Sequence, residues 1–328
     1  MADEISDSSS SYDYIVVGAG SAGCVIAARL SEDPSRRVLL IEAGPAQAPA
    51  AVADRRAWRT LLGSDVDWAD MTVPQPGLAG AVIMLSHGKV LGGSTAINGG
   101  FFLRGHRANF DRWVANGAYG WDYDSLLPYF KRSETAPGRD PRVRGTNGPM
   151  IVAPQPRKGV IADDLFAAAL EAGYPASSDL NGTEQEGAAF QDMTLVDDVR
   201  QTAADAYVRP VLGRPNLTVA GGAPARRLLF SEGRCSGVEY TVDGAVVRAE
   251  AAAEVILTAG TIGSAQLLMV SGIGPADHLR GFGIDVIADR PGVGANLHDH
   301  PFSSVVFEGS EAAQPELTSG LADSFTVR

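Results

Sequence analysis

The sequence predicts a doubly wound α/β fold that carries a second, inserted α+β domain. Three observations lead there. Near the start, a short β-branched run passes through a glycine-spaced turn into a helix and on to a second apolar strand. In the last third the same strand–glycine–helix grammar returns. Between them lies a stretch of aromatic, punctuated helices with a different texture. At roughly 150 residues per domain, a chain of 328 residues suits about two domains.

Residues 1–11 are short of apolar side chains and rich in Ser and Asp, which predicts a disordered tail. Tyr14-Ile15-Val16-Val17 reads as a buried parallel strand. Gly18-Ala19-Gly20-Ser21-Ala22-Gly23 follows, then a helix from Cys24 to Leu30 that Asp33-Pro34 ends. Val38-Leu39-Leu40-Ile41-Glu42 is the second strand and completes a βαβ unit. Residues 43–90 hold few periodic runs and several turns, including Gly44-Pro45 and Pro74-Gln75-Pro76-Gly77. After the glycine-rich stretch Gly92 to Gly105, Phe110 to Phe130 reads as short helices packing on the first domain. Thr146-Asn147-Gly148-Pro149 is a turn, and the first domain transition is placed just after it. Ala162 to Ala172 is an amphipathic helix with Gly173 past its end, and Ala203 to Leu212 is another helix. From Asn216, the segments Leu217–Val219, Arg227–Phe230, Gly237–Val242 and Ala245–Ala249 predict a β-meander. Glu254-Val255-Ile256-Leu257-Thr258 is a further buried strand, leading through Ala259-Gly260 into a helix around Ser264 to Val270. The expected division is 12–150 with 215–305 for the doubly wound domain, and 151–214 with 306–328 for the second domain, left incomplete at its C-terminal end.

Hydrophobic residues make up 45% and charged residues 20%, the balance of a soluble globular protein. No run of about 18 apolar residues exists to span a membrane. The opening MADEISDSSS has none of the basic and then apolar character of a signal peptide, which predicts a cytoplasmic protein. A net charge of −12 without any Lys/Arg cluster argues against nucleic acid and anionic membranes as partners. Cys24 and Cys235 are too few for a disulfide framework or a cysteine metal site, and Cys24 reads as a packing residue within the first helix.

Gly18-x-Gly20-x-x-Gly23 sits between a predicted strand and a predicted helix, the context that a dinucleotide site requires. Gly18 permits the tight turn, Gly20 lets backbone approach a pyrophosphate, and Gly23 allows close helix–strand packing. The N-terminus of the helix that follows faces the phosphates with free N–H groups and a positive dipole end, and Ser21 and Ala22 of the turn are assigned to the cofactor with the glycines. Glu42 ends the second strand, where an acid accepts hydrogen bonds from ribose hydroxyls and disfavours a 2′-phosphate. The motif alone leaves FAD and NAD both open.

Four segments in order resemble the glucose–methanol–choline (GMC) oxidoreductases, a family of FAD-dependent alcohol oxidases and dehydrogenases. They are Asp13 to Gly23 with Glu42-Ala43-Gly44; Gly88-Lys89-Val90-Leu91-Gly92-Gly93-Ser94-Thr95-Ala96-Ile97-Asn98-Gly99; Gly263 to Gly274; and Gly292-Val293-Gly294-Ala295-Asn296-Leu297-His298-Asp299-His300-Pro301. The resemblance implies a Rossmann-like FAD-binding domain, a substrate domain and a small-molecule alcohol as substrate. It also implies an electron acceptor that is oxygen, a quinone or a redox carrier. An NAD-dependent enzyme is the weaker alternative, since no nicotinamide pocket explains Gly88 to Gly99.

The resemblance also implies roles. Glu42 and Ala43 belong with the adenosine end of the cofactor. Leu91-Gly92-Gly93-Ser94 is similar to the loop beside the flavin ring, where missing side chains and free N–H groups stabilise charge at N1 of the reduced flavin. Asn98 and Gly99 match positions at the polar edge of the flavin. Ala225 matches a residue whose main chain meets the adenine, and Gly260 a second approach to phosphate and ribose. Asn296 and Asp299 match a motif that closes around the cofactor. His298-x-His300 has no third ligand beside it and is read as a loop end without a metal. Within the family the resemblance is to choline-dehydrogenase-like members. Asn98-Gly99-Gly100-Phe101-Phe102 is similar to dehydrogenases associated with the redox cofactor mycofactocin.

Alcohol oxidation needs a base for the hydroxyl proton. In the family that work belongs to a His–His or His–Asn pair near a His-x-x-Gly-Thr-type motif in a C-terminal segment. The histidines here are His87, His106, His278, His298 and His300, and none precedes a Gly-Thr. No catalytic residue is therefore assigned within these 328 residues. The alternative expectation is a catalytically incomplete FAD-binding fragment or pseudoenzyme.

Overall fold

The computed structural model describes residues 10–154, 160–300 and 325–327. They form two compact units: 10–53, 57–97 and 202–300 make the first, and 54–56, 98–201 and 325–327 the second. The first is built on a six-stranded sheet. Its elements are β1 (Ser10–Val17), α1 (Ser21–Leu30), β2 (Val38–Ile41), β3 (Leu217–Ala220), β4 (Ala225–Ser231), β5 (Arg234–Val242), β6 (Ala245–Leu257) and α2 (Gly260–Val270). The strand order is β3-β2-β1-β6-β5-β4. β3, β2, β1 and β6 run parallel, while β5 and β4 return antiparallel.

The apolar runs explain why these strands lie at the centre. Val38 to Ile41 are all buried, as a parallel strand covered on both faces requires. Side chains alternate across a strand, so Ile15, Leu39 and Ile41 share one face with Val238, Ala249 and Leu267 of α2. Val16, Val38 and Leu40 point the other way. α1 packs on β1 and β2 through a buried row of small residues, Cys24, Ala27 and Ala28. Both faces of the sheet thus carry a helix, and the doubly wound α/β expectation holds.

Some element boundaries differ from the sequence reading. β1 begins at Ser10, so Ser10 and Ser11 pair with Ala249 and Glu250 and are not tail; residues 1–9 lie outside the described residues. Leu217–Ala220 is not part of the meander but pairs in parallel with β2 at the far edge. The two strands expected at Ala245–Ala249 and Glu254–Thr258 are one strand, β6. Ala245 to Glu250 pair with β5 and Ala249 to Leu257 with β1, so the two ladders overlap at Ala249 and Glu250 and carry one strand through the alanine-rich middle. Ala204–Val208 forms a π-helical turn followed by a 3-10 turn at Arg209–Val211, where Pro210 has no N–H to continue an α-helix.

The second unit holds helices at Arg107–Ala115, Tyr123–Ser133 and Val160–Glu171 with short strands between them. Phe110 packs edge-on against Trp113 and Tyr123. The units divide at 97/98 and 201/202, where the sequence places its transitions after 150 and 214. Contacts far apart in sequence tie 98–150 to 151–201. Phe101–Phe102 pairs with Asp192–Met193, and Arg104 and Arg144 bond residues near 180 and 192. No described helix is long and apolar enough to cross a membrane.

Candidate cofactor-binding site

The first unit contains a cleft of about 1280 Å³ at the C-terminal ends of its parallel strands, above the usual range of roughly 300–1,000 Å³ for drug-sized ligands. Gly18, Gly20, Ser21 and Ala22 line it from the β1–α1 turn, and Glu42 and Ala43 from the end of β2. Gly93 and Ser94, Ala225, Gly260 and Asp299 complete the set of sequence-chosen residues that reach it.

Backbone knits these loops together. Gly18 has φ +98°, and a Cβ there would stand 2.6 Å from the Thr258 carbonyl oxygen. Gly93, at φ +54°, lies so close to the first loop that its Cβ would fall 2.6 Å from Gly20 Cα. The Gly92 N–H donates to the Ala19 carbonyl at 2.8 Å, and the Leu91 N–H to that of Pro45 at 3.1 Å. Gly44 and Gly88, which belong to the same motifs, have the same purpose. A Cβ on either would meet the backbone of Lys89 or Gly93 at 1.9 Å and 2.2 Å respectively.

Glu42 is 5% exposed. Its Oε2 accepts the Ala19 N–H at 2.8 Å and its Oε1 the Gly44 N–H at 2.9 Å. Burial pushes its carboxyl above the usual carboxylate range, although these bonds and the charge of Lys89 pull the other way.

Other expected residues lie behind or away from the cleft. Gly23 is packed against the Gly18 carbonyl, just past the end of β1, and against Thr258. Leu91 and Gly92 are buried and support the loop from beneath. Asn296 adopts φ +59°, its carbonyl 2.9 Å from Nδ1 of the exposed His298. Asn98 and Gly99 fall in the second unit, where Asn98 Oδ1 accepts from the Gly100 N–H and from Arg200 Nη1, both at 2.9 Å. The sequence reading missed Thr258, whose hydroxyl donates to Gly18 O at 2.7 Å and pins the glycine turn. It also missed His87, a cleft-lining residue stacked on Trp68. No three potential metal ligands gather among the described residues.

Cys24 sits directly beneath the glycine turn, its Sγ 3.1 Å from Ala19 O. Burial pushes its thiol up to about 12, against a weaker opposing bond with the Gly92 backbone. At pH 8 that leaves about one thiolate in ten thousand. We expect a thiol reagent at this pH to label Cys235 in the native protein and Cys24 only after unfolding. Two rapidly reacting equivalents would contradict this.

Comparison with known proteins agrees with the geometry. The family model for GMC oxidoreductases matches residues 12–302. Human mitochondrial choline dehydrogenase is 43% identical over 304 residues, which cover 90% of this chain and 51% of that protein. The oxygen-dependent choline dehydrogenase of Rhizobium etli is 43% identical, with 88% and 52% covered. Among solved structures, pyridoxine 4-oxidase from Mesorbium loti superposes with a TM-score of 0.82 at 36% identity, covering 85% of this chain and 55% of that one. The chain belongs to the GMC oxidoreductase family, and FAD is the cofactor that goes with that membership. It spans about half the length of the curated relatives it matches.

The cleft fits that group. A Cβ on Gly20 would meet no atom nearer than 3.9 Å, and one on Gly260 (φ +75°) nothing within 4 Å. Both glycines therefore leave open space on the cleft side, beside the first N–H groups of α1, which have no intrahelical acceptors.

Proposed function

We propose that this chain is the FAD-binding portion of an oxidoreductase that takes hydride from the CH–OH carbon of a small alcohol. One observation carries the reading: the glycine turn, Glu42, Gly93 with Ser94, Ala225 and Gly260 come from distant segments and converge on a single cleft. In this reading the N–H groups of Ser21 and Ala22 hold the pyrophosphate, and Glu42 takes the adenosine ribose. Ala225 meets the adenine through its main chain, while Gly93 and Ser94 lie along the flavin. Asn98, Gly99, Asn296 and Asp299 are assigned to the cofactor by the family pattern. FAD, when bound, supplies the hydride acceptor.

Choline is the first alcohol to test, because the curated relatives are choline dehydrogenases. The second reading is a catalytically incomplete FAD-binding fragment or pseudoenzyme. It is favoured by the lack of a histidine before a Gly-Thr. The electron acceptor is oxygen, a quinone or a redox carrier.

The test is a visible spectrum of the purified chain reconstituted with FAD, before and after anaerobic choline or another small alcohol. Bleaching supports complete chemistry; a stable flavin band supports the fragment reading; and failure to take up FAD overturns both. Glu42→Gln should weaken FAD binding roughly 10- to 100-fold, the worth of a hydrogen bond to a charged acceptor. A carboxyl raised in the folded state costs nothing while both states are protonated, and its cost grows as the pH climbs through its titration. Wild-type apoprotein should therefore lose stability relative to Glu42→Gln as the pH rises. Urea unfolding at several pH values checks this.

A further inference from the structure

We propose that Thr95 is a positioning residue, whose hydroxyl fixes the Gly92–Gly93–Ser94 loop in the shape that the cofactor requires. The inference rests on the FAD-binding reading above and goes beyond it to a residue outside the cleft wall.

Gly92 and Gly93 both occupy the left-handed region, at φ +101° and +54°. This loop has little side-chain packing of its own, so its path must be held by backbone and by neighbours. Thr95 closes it. The Thr95 hydroxyl donates to the Gly92 carbonyl three residues back. The same oxygen accepts the N–H of Ala203 at 2.9 Å, a residue 108 positions further along the chain. A hydroxyl has one donor and two acceptor sites, and here one donor and one acceptor join two segments.

The far segment is itself well anchored. Thr202 donates through both its N–H and its hydroxyl to Asp205 Oδ2, at 2.9 and 2.7 Å, and the Asp205 N–H returns to Thr202 Oγ1 at 3.2 Å. Arg209 Nε holds the other oxygen of Asp205 at 2.7 Å. The π-helical turn that follows packs on α1, with Arg29 over the ring of Tyr207. A Cβ on Gly92 would come 3.2 Å from Thr202, so the two segments are in direct contact. π-turns are uncommon and cluster at functional sites. This one begins with a buried alanine pair, Ala203 and Ala204, and the Ala203 N–H finds its acceptor on Thr95.

Thr95 therefore links the flavin-side loop to the segment that braces the phosphate-binding helix. With Thr95→Val the shape is kept and the hydroxyl lost. The Ala203 N–H then has no acceptor, and the Gly92 carbonyl loses its side-chain donor.

The experiment compares wild type, Thr95→Val and Thr95→Ser in three ways: thermal unfolding of the apoprotein, FAD affinity by quenching of flavin fluorescence, and the midpoint potential of the bound flavin. We expect Thr95→Val to fold, to bind FAD roughly tenfold more weakly, and to shift the potential to more negative values as the loop N–H groups move off the ring. Thr95→Ser should restore both. A Thr95→Val protein with wild-type affinity and potential overturns the proposal, as does a Thr95→Ser protein that resembles Thr95→Val. If Thr95→Val does not fold, Thr95→Ala replaces it in the same comparison. Wild type that takes up no FAD overturns the functional reading itself, an outcome distinct from equal binding by wild type and variant.

Discussion

Gly23→Ala is expected to abolish retention of FAD and to lower the unfolding temperature of the first unit by roughly 5–10 °C. A methyl group at this position would sit 1.9 Å from the Gly18 carbonyl oxygen and 2.8 Å from Thr258 Oγ1. The first obstacle is backbone, and the second is a hydroxyl already bonded to Gly18 O and Val17 O. Neither can rotate away. Relief requires α1 to lift from β1 by more than an ångström, which also takes the N–H groups of Ser21 and Ala22 away from the cleft. Overpacking of this kind costs about 1–3 kcal/mol and occasionally more, and a wedge between two backbones belongs at the upper end. Gly213→Ala is the control, because a Cβ there meets nothing within 4 Å. Calorimetry and the flavin absorbance of the purified proteins decide the matter. A Gly23→Ala protein that carries flavin and melts like wild type would refute this account of the turn.

Arg144→Met is expected to destabilise the second unit by about 3–5 kcal/mol, the cost of stranding buried carboxylates without their cation. Arg144 is fully buried. Its guanidinium donates to Glu134 at 2.8 and 3.1 Å, to Asp179 at 2.7 and 2.8 Å, and to Asp192 at 2.9 Å. Arg104 also reaches Glu134, at 2.6 Å, and Arg139 reaches Asp192. The three guanidinium groups and three carboxylates balance in charge. Removing one cation leaves Glu134 and Asp192, almost wholly buried, with too little compensation. Burial works against the charge on Arg144, but hydrogen bonds and attraction from Glu134 and Asp179 outweigh it and hold the guanidinium pKa above its ordinary range. A raised cation pKa stabilises at every pH below the unfolded value and fails only as the pH climbs through the folded one. The contribution of Arg144 should therefore stay flat across the neutral range. Arg142→Ala, which removes a surface pair with Asp140, should leave the unfolding curve unchanged. Equal curves for Arg144→Met and wild type would sink the prediction.

The contrast between these two sites shows what was legible. Gly18, Gly20 and Gly23 could be read directly, because a turn that needs positive φ or bare backbone admits few other residues, and a strand and a helix flank it. The acid at Glu42 could be read from its spacing. Arg144 could not be read at all. Arginine is usually a surface residue, and nothing in its neighbourhood announces that Glu134, Asp179 and Asp192 will surround it. Thr95 belongs to the Gly88–Gly99 motif, yet its acceptor role depends on Ala203, whose arrival no local pattern signals. Gly44 and Gly88 were in view as motif letters, but their purpose, a close approach of two backbones, became visible only with the neighbouring strand in place.

By itself the sequence determined the doubly wound nucleotide-binding character of this protein and the residues of its phosphate turn. Those features are set by short-range physics: the conformational freedom of glycine, the alternation and burial of apolar runs, and the free donors at a helix start. Tertiary structure alone decided that 98–150 belongs with 151–201, that β6 is a single strand, and that Leu217–Ala220 closes the far edge of the sheet. It also decided the Thr95–Ala203 link and the buried ion network. Each of these joins residues distant in sequence, and such contacts are selected by the packing energy of the whole chain, to which no single segment's propensity is a guide.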